Sequence, residues 1–198
     1  MDVIPKVNFV IPILYINLDH RTDRREHMEQ LLNGKNYYRI PAIYDTDNGY
    51  IGCVKSHIKC LEFAKTMNFD RVVILEDDFV FKGNNNFNNM ILPKCDYDIL
   101  LLCNLVKNMQ YYNDDFNRVK YAEWTSGHIV KCHMYDILIK NLNDGMNHLI
   151  KDNIRDNYLD VYWNKLLNGY TTLVHKNIIA VQKGSYSDIK NCVMNRLN

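Results

Sequence analysis

Arg71-Val72-Val73-Ile74-Leu75-Glu76-Asp77-Asp78 is the stretch on which the reading of this chain turns. Its four consecutive aliphatic residues, three of them β-branched, form a strand with no polar face, the pattern of a strand covered on both sides in a parallel sheet. The run stops abruptly at three acids. Ligand sites in open α/β sheets lie beyond the carboxyl ends of strands, so the triplet stands where a site is expected. Alternate side chains of an extended segment share a side, which predicts that Glu76 and Asp78 face together and Asp77 apart. Two carboxylates held together repel unless a cation lies between them, and oxygen donors suit Mg²⁺ or Mn²⁺ rather than soft metals. A solvated acidic turn is the alternative on local grounds.

Working outward, Phe9 to Leu18, interrupted by Pro12, predicts an earlier buried strand that empties into Asp19-His20-Arg21-Thr22-Asp23. Thr22 is placed to cap a helix with the apolar stripe Met28, Leu31 and Leu32, ended by Asn33-Gly34. A second short strand is expected over Tyr37 to Ile43, and a second helix after Gly52. Downstream, Asp98 to Cys103 and Thr125 to Lys131 predict strands, His133 to Leu142 and Arg155 to Leu167 helices, and Ile178 to Val181 a final strand. Strands alternating with helices imply an α/β fold with a mostly parallel central sheet flanked by helices. With 198 residues, no repeat and no linker, one domain spanning 1–198 is the expectation.

Composition narrows the function classes. Hydrophobic residues at 47% and charged residues at 24% are ordinary for a globular protein. A net charge of +1 gives no basic excess for phosphate backbones, so no nucleic-acid partner is expected. The six cysteines have neither paired zinc spacing nor the density of a small secreted scaffold, and Cys132-His133 is assigned to packing. No run reaches membrane-span length and no signal-peptide pattern opens the chain. These features point to a soluble, cytoplasmic protein with reduced thiols.

Three further segments carry candidate chemistry. Gly49 and Gly52, followed by Ser56 and His57, stand where a helix begins and where free N–H groups favour an anion; capped polar packing is the alternative. Asn17 through Arg25 holds Arg21 and Arg24 directly after the first strand, suited to gripping a diphosphate or to internal ion pairs. Gln182 to Asp188 is a polar loop after the last strand.

Taken in order, these segments resemble glycosyltransferase family 25. Tyr15-Ile16-Asn17-Leu18-Asp19-His20-Arg21-Thr22-Asp23-Arg24-Arg25 is similar to the family's opening "INLDxRxDRR". Gly49-Tyr50-Ile51-Gly52-Cys53-Val54-Lys55-Ser56-His57 resembles its "GxxGCxxSH", and Ile74 to Asp78 its "ILEDD". Tyr97 to Leu102 and Gln182 to Ile189 extend the likeness. Two segments depart from the pattern: Gly127-His128-Ile129-Val130-Lys131 stands for Gly-Ala-x-Ala-Tyr, and Lys176-Asn177 replaces a proline pair.

The resemblance implies a GT-A-like fold, a UDP-galactose or UDP-glucose donor, Mn²⁺ or Mg²⁺, and inversion at the sugar carbon. By analogy Asp78 is the leading metal ligand with Glu76 beside it. Asn17, Arg21, Arg24, Gly52, Ser56, His57, Gln182 and Asp188 belong to the donor site. The base that takes the acceptor proton is an aspartate before the last strand, Asp160 or Asp156. The acceptor is a saccharide, glycolipid or protein hydroxyl. Competing readings are a catalytically silent nucleotide-sugar-binding domain and a nucleotidyltransferase of similar fold.

Overall fold

The computed structural model describes residues 10–167, 169–190 and 192–194. The chain opens with β1 (Ile13–Asn17), α1 (Thr22–Leu31), β2 (Tyr37–Pro41), α2 (Gly49–Thr66) and β3 (Arg71–Glu76). After a short β4 (Phe79–Phe81) come two long strands, β5 (Ile99–Tyr111) and β6 (Phe116–Lys131), and then α3 (Tyr135–Lys151). Two single-turn helices, α4 (Leu159–Tyr162) and α5 (Asn164–Leu167), precede β7 (Thr172–His175), β8 (Ala180–Gln182), β9 (Ser185–Ser187) and β10 (Cys192–Met194).

The central sheet runs β2-β1-β3-β6-β5-β7. The β1–β2, β1–β3 and β5–β7 pairings are parallel, whereas β6 enters antiparallel between β3 and β5. Period-two alternation sorts the aliphatic runs into two layers. Leu14, Ile16, Val72 and Ile74 pack with Val54, Ile58 and Leu61 of α2 and Leu138 and Leu142 of α3. Ile13, Tyr15, Val73 and Leu75 pack on the opposite face with Met28, Leu32 and Phe79. Both faces being covered explains why these strands have no polar side.

Several boundaries differ from the sequence expectation. Of the opening strand, Ile13–Asn17 pairs, and Phe9 lies outside the described residues. Thr22 is the first residue of α1, and Arg21 occupies the cap position without a side-chain capping bond. The second helix starts at Gly49, one turn before the expected point, because Asn48 accepts a hydrogen bond from the Tyr50 N–H. The expected helix over Arg155 to Leu167 is broken: a 3-10 turn at Arg155–Asn157 is followed by Tyr158 with extended backbone, φ −65° and ψ 146°. The final strand forms over Ala180–Gln182 and pairs with β4, away from the central sheet. Among the described residues no helix is long and apolar enough to cross a membrane.

Candidate active site

β1 and β3 end side by side, Ile16 opposite Glu76, so the polar residues that follow both strands open into one cleft. Its floor is formed by these strand ends, one wall by the first turns of α2, and its rim by the segment that contains β8 and β9. The space between its walls, including the part open to solvent, is about 930 Å³.

The acidic triplet is not one extended segment. Glu76 is the last residue of β3, and Asp77 and Asp78 form a turn into β4, so the alternation that set Asp77 apart does not hold, and all three line the cleft. Asp77 is buried, accepting from Asn17 Nδ2 at 2.8 Å and from Arg24 at 2.6 Å. Burial nonetheless pushes its carboxyl above the usual range, with Arg24 and Asn17 opposing. Asp78 faces the same cleft, and its backbone carbonyl accepts from the Lys183 N–H at 2.7 Å.

Glu76 is held differently. It accepts from Thr125 Oγ1 at 2.8 Å and Ser126 Oγ at 3.1 Å, and lies 3.3 Å from His57 Nε2. Burial favours its neutral form, but these three donors outweigh it and keep the carboxyl well below its ordinary value. Behind His57 the His128 ring stacks at 6.1 Å. Burial, then the neighbouring His57, pushes His128 down to about 3, so it is neutral at physiological pH. Thr125 and Ser126 had no signal in the sequence; they reach Glu76 because β6 pairs antiparallel with β3.

The arginines expected at a nucleotide are tied into the protein. Arg21 grips Asp23 through two bonds of 3.0 and 2.9 Å and donates to Asp188 at 2.6 Å. Arg24 reaches Ser185 Oγ at 2.5 Å and the Tyr186 carbonyl at 2.9 Å as well as Asp77. Burial opposes ionisation of Asp188, but His20 and Arg21 hold its carboxyl below the usual range. Asn17 accepts from Arg39 at 3.0 Å. Together these bonds fasten the β9 segment over the cleft.

Two residues expected beside the donor hold the scaffold. A Cβ at Gly52 meets the Ile43 carbonyl at 2.5 Å, so glycine is needed there for close approach of α2 to the chain after β2, and Gly52 is not part of the cleft lining. Ser56 borders the cleft, yet its Oγ donates to the Gly52 carbonyl at 2.7 Å and accepts from the Ile43 N–H at 2.8 Å. Gln182 is buried; its Nε2 donates to Ser126 Oγ, while Oε1 has no hydrogen-bond partner among the described residues.

A second cleft of about 720 Å³ adjoins the first and shares Cys53, Glu76, Gln182, Ser187 and Ile189 with it. Tyr50 and Tyr158 stack on one wall with centroids 3.8 Å apart. Asp160 faces this cleft and accepts from the Trp124 N–H at 3.3 Å; burial raises its carboxyl above the usual range. Trp124 adopts φ 63°, a conformation that costs a non-glycine residue about 1–2 kcal/mol and aims its N–H at Asp160. Asp156 lies on the exposed 3-10 turn and borders neither cleft.

With this geometry in place, comparison with known proteins is decisive for the family. Residues 46–155, from the loop before α2 to the 3-10 turn, match the sequence model for glycosyltransferase family 25, described as an LPS biosynthesis protein. The chain belongs to glycosyltransferase family 25. The matched span contains the acidic triplet, Cys53 and His57; Arg21, Arg24, Asp160, Gln182 and Asp188 lie outside it.

One solved structure supports this fold for the family member, and two weaker likenesses accompany it. A glycosyltransferase involved in the glycosylation of the major capsid of PBCV-1 is similar with a TM-score of 0.54 and 12% identity, over 87% of this chain and 91% of that one. A protein from STIV follows at 0.47 and 12% identity, over 95% of each chain. A mannose-1-phosphate geranyltransferase from Thermus thermophilus gives 0.43 and 8% identity, over 86% of this chain and 58% of that one. Among curated proteins none matches.

Proposed function

We propose that this glycosyltransferase moves a hexose, galactose or glucose, from a UDP-sugar to an acceptor hydroxyl with inversion at the sugar carbon. The observation that carries the reading is the meeting of two clefts at Glu76, with a cluster of acids on one side and Asp160 on the other. The donor lies in the first cleft, the acceptor in the second, and the anomeric carbon at their junction. Asp160 takes the proton of the attacking hydroxyl, and burial, which raises its carboxyl above the usual range, favours that uptake. Trp124 orients it, and the Tyr50–Tyr158 stack forms a flat wall for the acceptor. Gln182 Oε1, buried without a partner among the described residues, accepts a hydrogen bond from a sugar hydroxyl. Asp156, exposed and bordering neither cleft, is less well placed for this role than Asp160.

The donor set fits a divalent cation. Asp77 is ion-paired with Arg24, while the Glu76 and Asp78 carboxylates line the same wall of the cleft, and carboxylate oxygens suit Mn²⁺ or Mg²⁺. A cation held there by Glu76 and Asp78 would supply charge stabilisation to a departing diphosphate. Arg21 and Arg24 supply further positive charge when they exchange Asp188 and Ser185 for phosphate oxygens.

One observation favours a second reading, a domain that binds donor without transferring it: Arg21 and Arg24 are already engaged by Asp23, Asp77, Asp188 and the β9 segment. Incubation with UDP-galactose or UDP-glucose and Mn²⁺ separates the two. Slow release of UDP and free sugar without acceptor supports the transferase; binding with no release supports the silent domain.

A further inference from the structure

One helical turn separates Cys53 from His57, and this spacing puts both side chains on the face of α2 that looks at the end of β3. There they meet Glu76. The thiol sulfur, an imidazole nitrogen and a carboxylate oxygen all lie within 4.8 Å of one another, with His57 Nε2 to Glu76 Oε1 at 3.3 Å. Metal bonds of about 2.0–2.3 Å in a tetrahedral zinc site put neighbouring ligand atoms about 3.3–3.6 Å apart. The His57–Glu76 separation already matches that edge, and small side-chain adjustments close the others.

The surroundings are those of a supported ligand set. Thr125 and Ser126 both donate to Glu76, which fixes the carboxylate as outer-layer hydrogen bonds do around metal ligands. The stacked His128 and the core of α2 close the back of the cluster. Cys53 and Glu76 border both clefts and His57 borders the first, so the remaining tetrahedral direction opens toward the cleft junction.

We propose that Cys53, His57 and Glu76 form a three-ligand site for a zinc-class cation at the junction of the two clefts, with its fourth position open to an oxygen of substrate or water. The inference rests on the reading of Glu76 as a metal-facing acid and changes the ligand chemistry. A thiolate and an imidazole select Zn²⁺ over Mg²⁺ and Mn²⁺, whereas an oxygen set around Asp78 does the reverse. Capture of the metal converts the Cys53 thiol to thiolate and releases its proton to solvent.

Cobalt is the probe, because a cysteine thiolate bound to Co²⁺ gives a near-ultraviolet charge-transfer band that oxygen and nitrogen ligands do not. The intact chain titrated with Co²⁺ develops this band, and Zn²⁺ bleaches it. Cys53→Ala abolishes it, His57→Gln weakens Co²⁺ affinity by at least about tenfold, and Asp78→Asn keeps it. If Cys53→Ala does not fold, Cys53→Ser carries the same comparison. A folded wild type with no band, or a band that survives loss of Cys53, overturns the site. UDP binding with Mn²⁺ is followed on the same samples: UDP binding without the band overturns the zinc site alone, and the band without UDP binding supports the zinc site while removing the donor assignment.

Discussion

The cleft beside β1 and the cleft beside α4 share five lining residues yet differ in what holds them. In the first, Arg24 is bonded to Asp77, Ser185 and Tyr186, and Arg21 to Asp23 and Asp188. In the second, the Tyr50–Tyr158 stack and Trp124 surround an aspartate whose ionisation burial resists. On the proposed reading, the ion-paired wall exchanges partners with a polyanion, and the aromatic wall orients a neutral group beside Asp160. Substitutions on the first side should move donor binding and stability, and those on the second should move turnover.

The largest effect is expected from Asp160→Asn, which should lower sugar transfer by roughly 10²–10⁴-fold, the usual size of a general-base contribution. The donor KM should stay unchanged, because the lost interaction belongs to the transition state. Steady-state kinetics on the purified variant checks both; unchanged kcat would remove Asp160 from the mechanism.

Arg24→Ala comes next. It strands the buried Asp77 carboxylate, and breaking such a pair costs about 3–5 kcal/mol. Urea unfolding should show this loss, and adding Asp77→Asn should restore a large part of it, since the unpaired charge is then gone. Equal stability of the single and double variants would mean that the pair contributes no coupling.

Gly52→Val tests where donor binding ends and scaffold begins. The new Cβ meets the Ile43 carbonyl at 2.5 Å, a backbone atom that cannot swing aside. The expected destabilisation is about 1–3 kcal/mol, which for a chain of this size lowers Tm by about 2–4 °C per kcal/mol. Donor affinity below Tm should barely change. A collapse of donor binding with an unchanged Tm would return Gly52 to the site.

How much of this was legible follows from where each signal sits. The aliphatic run of β3 and the acids after it predict strand and site together, because burial and chain direction are local properties. The α2 segment was legible as a helix, but not the reason for Gly52, which depends on the chain after β2 passing within contact distance. The distal half of the β5–β6 hairpin was missed because residues 107–111 of β5 are exposed, so that even Met109 and Tyr111 mark no buried face. The partners of Asp77 are 60 and 53 residues away in sequence, so no local pattern assigns Arg24 to it rather than to a phosphate. The four-residue spacing of Cys53 and His57 was visible, but Glu76 joins them only through the fold.

The smallest expected effect lies outside both clefts. Burial pushes His175 down to about 4, with Asp115 opposing weakly. The unfolded chain binds a proton there below about pH 6.5, the folded chain only below about pH 4. Its stability contribution is therefore full above pH 6.5 and declines as pH falls toward 4. His175→Gln should flatten the fall in urea midpoint between pH 7 and pH 5 relative to wild type; identical slopes would show that His175 is not a source of acid sensitivity.

The division between the clefts is tested most directly by calorimetric titration of UDP, with and without Mn²⁺, into wild type, Asp78→Asn and Asp160→Asn. The account predicts Mn²⁺-dependent binding to wild type, the same affinity in Asp160→Asn, and at least about tenfold weaker binding in Asp78→Asn, equivalent to about 1.4 kcal/mol. Equal affinities in all three proteins, or a loss confined to Asp160→Asn, would contradict it.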